Sequence, residues 1–201
     1  MVQNGKTLSM HSEAIWKGTY DDNGMLLKLH ENCFTIGYSA LLSPDGTSAG
    51  KVNFGDGVFY DAKQKNNKVY VGAPTVSNAA PKFAGIIARE AGIASGYPAI
   101  NSEVASFQKG LLCKEGFLEY KKAYVVTTAS HSALGTKKSV FDNVGLGYVL
   151  MVSASNGAVY FAQTASDKVS ASDVVVGKIV AMNPDDKTVT VYVSPAFYMA
   201  D

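Results

Sequence analysis

The sequence predicts a mostly-β protein, a small β-barrel or β-sandwich built of short strands and hairpins with few short helices. Three observations predict this fold class. Short apolar runs rich in Val, Ile, Tyr and Phe recur through most of the 201 residues. Gly, Asn, Pro and Asp separate these runs at the spacing typical of strands in a barrel or sandwich. The 3.6-residue periodicity of long amphipathic helices is nearly absent.

The two clearest hairpins lie in the C-terminal third. Alternating T-V-T-V-Y-V predicts a strand that follows a β-branched run, and Asn-Gly is the strongest short hairpin signal. The predicted hairpins are runs 174–180 and 188–193 around the turn N-P-D-D at 183–186, and runs 148–152 and 158–163 around S-N-G at 155–157.

Further short strands and two short helices complete the predicted elements. The strands are the apolar runs at 57–60, 68–71, 83–88, 116–120 and 123–128. The helices are predicted at 12–17 and 101–108. In the second helix Asn101 or Ser102 serves as the N-cap and Glu103 lies in the first turn.

The chain divides into three predicted parts. Residues 1–40 form an N-terminal arm or strand-rich extension, 41–128 a β-rich core domain, and 129–201 a hairpin-rich part. The boundary lies in A-S-H-S-A-L-G-T-K-K at 129–138, which lacks a strand pattern. The same stretch is also compatible with a long loop within one domain. In the arm, Trp16 and Tyr20 need burial and are candidate anchors on a neighbouring molecule.

Composition disfavours several classes of partner. The 18 Lys and Arg residues nearly balance 17 Asp and Glu, so no bulk charge attracts nucleic acid or an acidic membrane. Arg89 is the only arginine, although arginine is the preferred ligand of phosphates and guanine edges. No apolar run approaches the length of a membrane span, and residues 1–10 lack a secretory signal. Two cysteines make no disulfide framework. We therefore expect a soluble protein synthesised in a reducing cytoplasm.

No catalytic, cofactor or metal site is predicted. His30 and Cys33 have a spacing that can bind zinc, but the remaining ligands are isolated in the sequence. Ser-His-Ser at 130–132 and Asp142 supply the residue types of a triad without a G-x-S-x-G elbow. Gly-Leu-Gly at 145–147 lacks the third glycine of a dinucleotide loop. We therefore expect neither an enzyme nor a bound cofactor.

An ordered series of segments shows a likeness to a known family. The segments are S-P-D-G at 43–46, G-D-G-V-F-Y-D at 55–61, K-V-Y-V-G at 68–72, F-A-G-I-I-A-R-E at 83–90, G-Y-P at 96–98 and K-G-L-L at 109–112. This series resembles the structural cement, or decoration, proteins of tailed-phage heads. The likeness covers roughly residues 40–125, and residues 83–98 are the most similar part.

The resemblance implies a virion structural protein without catalytic residues. Such a protein lies on the outer capsid surface, binds the major capsid protein and associates with itself, with a trimer expected. Neither nucleic acid nor membrane is an expected partner. Low charge and many Tyr and Phe side chains suit such contacts, and many copies on one lattice accumulate binding free energy. The candidate interface residues are Trp16, Tyr20, Arg89 and Tyr97.

Two alternative functions also rest on surfaces. A head-fibre base is one variant of the same role. A host-surface or carbohydrate-binding module is the other, in which exposed Tyr38, Tyr60 and Tyr97 stack on sugars. The opposing interpretation places these tyrosines in the core or within strands, where aromatic side chains are usually buried.

Overall fold

The structure is a computed structural model that describes residues 27–29, 33–47, 51–53, 55–61, 63, 65–75, 82–90, 103–105, 110–127 and 134–198. Within these residues the chain forms strands and two one-turn helices. The strands are β1 (Leu27–Leu29), β2 (Phe34–Tyr38), β3 (Ala40–Leu42), β4 (Lys51–Asn53), β5 (Gly57–Tyr60), β6 (Lys68–Tyr70), β7 (Lys82–Glu90), β8 (Glu103–Ala105), β9 (Gly110–Tyr120), β10 (Lys122–Val125), β11 (Lys138–Ser139), β12 (Val149–Val152), β13 (Val159–Ala162), β14 (Val174–Asn183) and β15 (Thr188–Val193). The helices are α1 (Val140–Asn143) and α2 (Pro195–Tyr198).

Most of these strands belong to one large open sheet. Its order is β11-β10-β13-β12-β14-β15-β9-β7-β5-β6-β3, and β1 and β2 each pair with β9 beside this path. Strands β4 and β8 form a separate antiparallel pair. The prediction of a mostly-β fold is confirmed. The barrel alternative is wrong for the described strands, because the order runs from β11 to β3 and does not close on itself.

Strand β9 joins two arms of this sheet. One arm, the first arm, contains β7, β5, β6 and β3, and the other, the C-terminal arm, contains β15, β14, β12, β13, β10 and β11. Its first half, 110–115, pairs with β2 and β7, and its second half, 116–120, pairs with β1 and β15. The change of partners falls at Gly116, whose φ is +130°. A Cβ at this glycine would lie 2.6 Å from both Cα and Sγ of Cys33. Gly116 therefore provides both the backbone conformation and the close approach that the junction requires.

Both arms contribute to one hydrophobic core. The Tyr120 and Phe161 rings pack edge to face with centroids 5.7 Å apart. The Gly57 N–H in β5 donates to the Gly157 carbonyl in the β12–β13 turn at 2.7 Å, which ties the arms together. Fully buried members of this core come from the first arm, from β9 and from the C-terminal arm: Leu41, Val58, Phe59, Ile86, Leu112, Leu118, Leu150, Val176 and Val191. Burial of each such side chain contributes on the order of 1.5–3 kcal/mol.

Local turn chemistry accounts for both predicted hairpins, which are confirmed. The Asn183 Oδ1 accepts hydrogen bonds from the Asp185 and Asp186 N–H groups at 3.0 and 3.2 Å, between β14 and β15. Between β12 and β13, the Asn156 Oδ1 accepts from the Ala158 N–H at 3.1 Å, and Gly157 has a φ of +74°. In these turns the Asn side chains accept hydrogen bonds from nearby backbone N–H groups, and Gly157 adopts a positive φ, as is typical of these turn residues.

Of the remaining predicted elements, most are confirmed and one is wrong. Strands β5, β6, β7 and β10 match their predicted runs within a few residues. The run predicted at 116–120 is the second half of the longer strand β9. The helix predicted at 101–108 is wrong, because Glu103–Ala105 forms β8 and pairs with β4. An eight-residue helix is marginal by itself, so long-range strand pairing overrides its capping residues. The helix predicted at 12–17 lies outside the described residues.

We predict that Gly116→Ala destabilises the fold strongly. The new methyl group would meet Cys33, and the backbone would be strained at its positive φ. The expected loss is about 3 kcal/mol or more, measured by urea unfolding.

Gly135→Ala is the matched control for this variant. Gly135 also has a positive φ, +65°, but no described atom lies within 4 Å of the position that a methyl group would take there. We expect this control to lose about 1 kcal/mol, from backbone strain alone. Equal losses in the two variants would show that the Cys33 contact does not restrict the junction.

Candidate functional site

The predicted interface residues fall mostly outside the described residues. Trp16, Tyr20 and Tyr97 belong to that group. Arg89 is a β7 residue whose backbone pairs with Leu111 of β9. His30 and residues 130–132, which were weighed as members of a zinc site or a triad and not predicted as such, also lie outside the described residues. The interface assignment of all four residues remains a prediction.

Tyr38 and Tyr60, the two described tyrosines that were considered for sugar stacking, are poorly placed to stack on a sugar. Tyr38 has an exposed fraction of only 3%, so its ring faces the core. Tyr60 is half-buried, and the Lys114 ammonium lies 5.5 Å from its ring centroid. A sugar would have to displace that ammonium to stack on the ring. The interpretation of Tyr38 and Tyr60 as core or strand residues is therefore the one that the geometry supports.

The most elaborate polar cluster surrounds the buried carboxylate of Asp173, which is 2% exposed. Its Oδ1 accepts a hydrogen bond from the Ala154 N–H at 2.9 Å. Its Oδ2 accepts from the Tyr160 hydroxyl at 2.8 Å and from the Ser170 N–H at 2.9 Å. The Tyr160 hydroxyl in turn accepts from the Val169 N–H at 3.1 Å. This carboxylate fastens the loop before β14 to the β12–β13 hairpin.

Among the described residues, two further carboxylates are buried, and both accept hydrogen bonds. The Asp167 Oδ2 accepts from both the N–H and the hydroxyl of Thr164, at 3.0 and 2.9 Å. The Glu119 Oε1 accepts from the Thr188 hydroxyl at 3.0 Å, across the β9–β15 ladder. Asp167 closes the turn at 164–167, whereas Glu119 links β9 to β15. These carboxylates are structural.

The two cysteines are brought together, which sequence reasoning missed. The Cys33 and Cys113 thiols, 80 positions apart in sequence, hydrogen-bond to two carbonyls of β9 that are two residues apart, those of Phe117 and Glu115. No local spacing signals this pairing, because it depends on the register of β2 against β9.

Within the described part of the chain, no group of three or more His, Cys, Asp and Glu residues could hold a metal ion.

Exposed apolar side chains mark two places on the surface. Leu146 is 66% exposed and Val180 is 40% exposed. The Gly147 N–H donates to the Ile179 carbonyl at 3.0 Å, so these two side chains come from adjoining segments. We name Leu146 and Val180 the apolar patch. Phe34, at the start of β2, is 60% exposed on the other arm.

Lysine side chains lie over two partly buried aromatic rings. The Lys187 ammonium lies 4.7 Å from the Phe141 ring centroid in α1, and Lys137 lies 5.7 Å from that of Tyr124. These rings are therefore shielded from large partners by charged groups.

Comparisons with known proteins found no relative of this chain. Neither the protein-family models, nor the curated proteins, nor the solved structures contain a match. Across the described residues, no helix has both the length and the apolar character needed to cross a membrane. The site must therefore be interpreted from its own geometry.

We predict that Asp173→Asn loosens the loop before β14. The amide retains one oxygen and directs an NH2 group toward donors that need an acceptor. The expected loss is about 2–4 kcal/mol, seen as a fall in Tm of roughly 5–15 °C. Asp142→Asn is the control, because Asp142 is exposed in α1. If Asp173→Asn and Asp142→Asn both have the Tm of the wild type, the Asp173 cluster does not fasten this loop.

We also predict alkaline unfolding driven by buried tyrosines. Burial, with a smaller effect of nearby Cys113 and Glu115, raises the pKa of Tyr198 to about 12. Burial also raises the pKa of Tyr120 and of Tyr160. The unfolded chain loses these protons near pH 10, so stability is complete below that pH and falls as the pH rises through the folded-state values.

The measurement is urea unfolding at pH 8, 10 and 11.5, followed by far-UV circular dichroism, with tyrosinate absorbance recorded in parallel. The urea midpoint should fall steadily above pH 10. Complete tyrosine ionisation near pH 10 with an unchanged midpoint would contradict the prediction.

Proposed function

We propose that the chain is a virion structural protein that binds the outside of a tailed-phage capsid and stabilises or decorates it. The observation that carries this proposal is the apolar patch, which exposes Leu146 in the turn before β12 and Val180 in β14. The resemblance over residues 40–125 supplies the class of partner, the major capsid protein of an assembled shell. The protein acts by contact rather than by catalysis.

The chemistry of the described residues supports a role in contact. The buried carboxylates hold loops and strands together, so their chemistry is already committed. Charged residues are only 17% of the chain, and interface centres are depleted of charge. Leu146 and Val180 can bury apolar area against a partner without first losing a salt bridge.

Repetition on a lattice explains how a small patch is sufficient. Each copy contributes a modest free energy, but copies that also contact one another on the shell bind cooperatively. We propose self-association as a trimer, located on the outer capsid surface after synthesis in the host cytoplasm. Assembled heads are then preferred to separate capsid subunits, because a lattice presents several sites at once.

The test is co-sedimentation of the purified chain with expanded heads that lack their decoration protein. Wild-type chain should sediment with these heads and not with free capsid subunits. Leu146→Glu should weaken binding by at least about tenfold, equivalent to ~1.4 kcal/mol, because it places a charge in the apolar contact. Analytical ultracentrifugation of the same samples measures the proposed trimer.

Phe34→Glu is the matched control, since Phe34 is similarly exposed but lies on the other arm. Its binding should equal that of the wild type. Absence of wild-type chain from the pelleted heads would overturn the proposed function. Equal binding by Leu146→Glu would show that the apolar patch is not the contact.

A further inference from the structure

The two cysteine thiols occupy one small site at the junction of the arms. Cys33 directly precedes β2 and Cys113 lies within β9, where Thr35 pairs with Cys113 and a register shift follows toward Phe34. The Cys33 thiol donates to the Phe117 carbonyl at 3.2 Å. The Cys113 thiol lies 3.6 Å from the Glu115 carbonyl. The two acceptor carbonyls belong to the same strand and flank Gly116, which places both thiols beside this residue.

The two thiols differ in their access to solvent. Cys33 is half-buried, whereas Cys113 has no exposed surface. Gly116 leaves the space that Cys33 occupies, because a Cβ there would lie 2.6 Å from the Cys33 Sγ. The hydrogen bond to Cys33 and burial also raise the pKa of the Cys113 thiol. A reagent in solution therefore reaches Cys33 first, and Cys113 reacts through Cys33.

We propose that Cys33 and Cys113 form a reversible dithiol–disulfide pair that is oxidised by a low-molecular-weight disulfide. In the first step the Cys33 thiolate attacks the disulfide of oxidised glutathione, forms a mixed disulfide and releases one glutathione thiolate, which takes up the proton that Cys33 lost. In the second step Cys113 loses its proton, its thiolate attacks the Cys33 sulfur, and the second glutathione leaves as a thiolate that takes up this proton. Two protein thiols are oxidised and one glutathione disulfide is reduced to two thiols.

This bond would tie the start of β2 to the strand that both arms share. It would close a long loop of chain, which stabilises a fold chiefly by restricting its unfolded state. For a virion protein, the bond would form after the particle leaves the reducing cytoplasm. This last consequence rests on the proposed function, whereas the chemistry of the pair does not.

The experiment treats the reduced, folded chain with oxidised glutathione, blocks remaining thiols with iodoacetamide and maps the tryptic peptides by mass spectrometry. Cleavage after lysine places Cys33 in peptide 29–51 and Cys113 in peptide 110–114. We expect these two peptides to be joined in the wild type. Oxidation should also raise the Tm by roughly 5–15 °C.

Two single variants separate the steps. Cys113→Ala should retain glutathione on Cys33, because the resolving thiol is absent, and its Tm should not rise. Cys33→Ser should leave Cys113 as a thiol that iodoacetamide modifies only after unfolding. Circular dichroism of the reduced variants checks that both fold. If one fails to fold, the wild-type peptide map alone decides the question.

Three results in the wild type would overturn the proposal: stable glutathione on Cys33, two alkylated thiols after prolonged oxidation, or a disulfide between separate chains. The experiment uses the isolated chain and no heads. Its failure is thus distinguishable from failure of the proposed function, which is decided by co-sedimentation.

Discussion

The hydrogen bonding of β9 on both sides is the interaction on which the rest of this structure depends. One half of the strand completes the arm that contains β7 and β5, and the other completes the arm that contains β15 and β14. Leu112 and Leu118, one in each half, are both fully buried in the common core. The change of partners at Gly116 allows one strand to serve both arms. Because the arms share this strand and one core, we infer that they fold as a cooperative unit.

This architecture also explains where polar chemistry is found. Buried carboxylates lie in loops of the C-terminal arm and in β9, and each accepts hydrogen bonds from backbone N–H groups or hydroxyls of its neighbours. Buried charge is costly unless it is hydrogen-bonded in this way. Apolar side chains that no described segment covers, such as Leu146, remain at the surface. These exposed apolar side chains are the basis of the proposed role on a shell.

The sequence is most informative where structure is determined locally. Asn156-Gly157 and the alternation in 188–193 predict their hairpins because turn geometry and strand period are short-range properties. Strand β9 is harder to recognise, since Gly116 interrupts it and its partners come from both halves of the chain. The helix predicted at 101–108 fails for a related reason, the pairing of β8 with β4. The placement of Cys33 and Cys113 beside Gly116 depends on long-range register, and local cysteine spacing carries no signal for it.

Native-state hydrogen exchange of the β9 amides is the most direct measurement of the central claim. The Leu112 amide belongs to the half that pairs with β7, and the Leu118 amide to the half that pairs with β15. If β9 unites the arms, both amides should exchange with the same opening free energy, equal to that of global unfolding. Different opening free energies for the two halves, with one arm exchanging well before the other, would contradict the account.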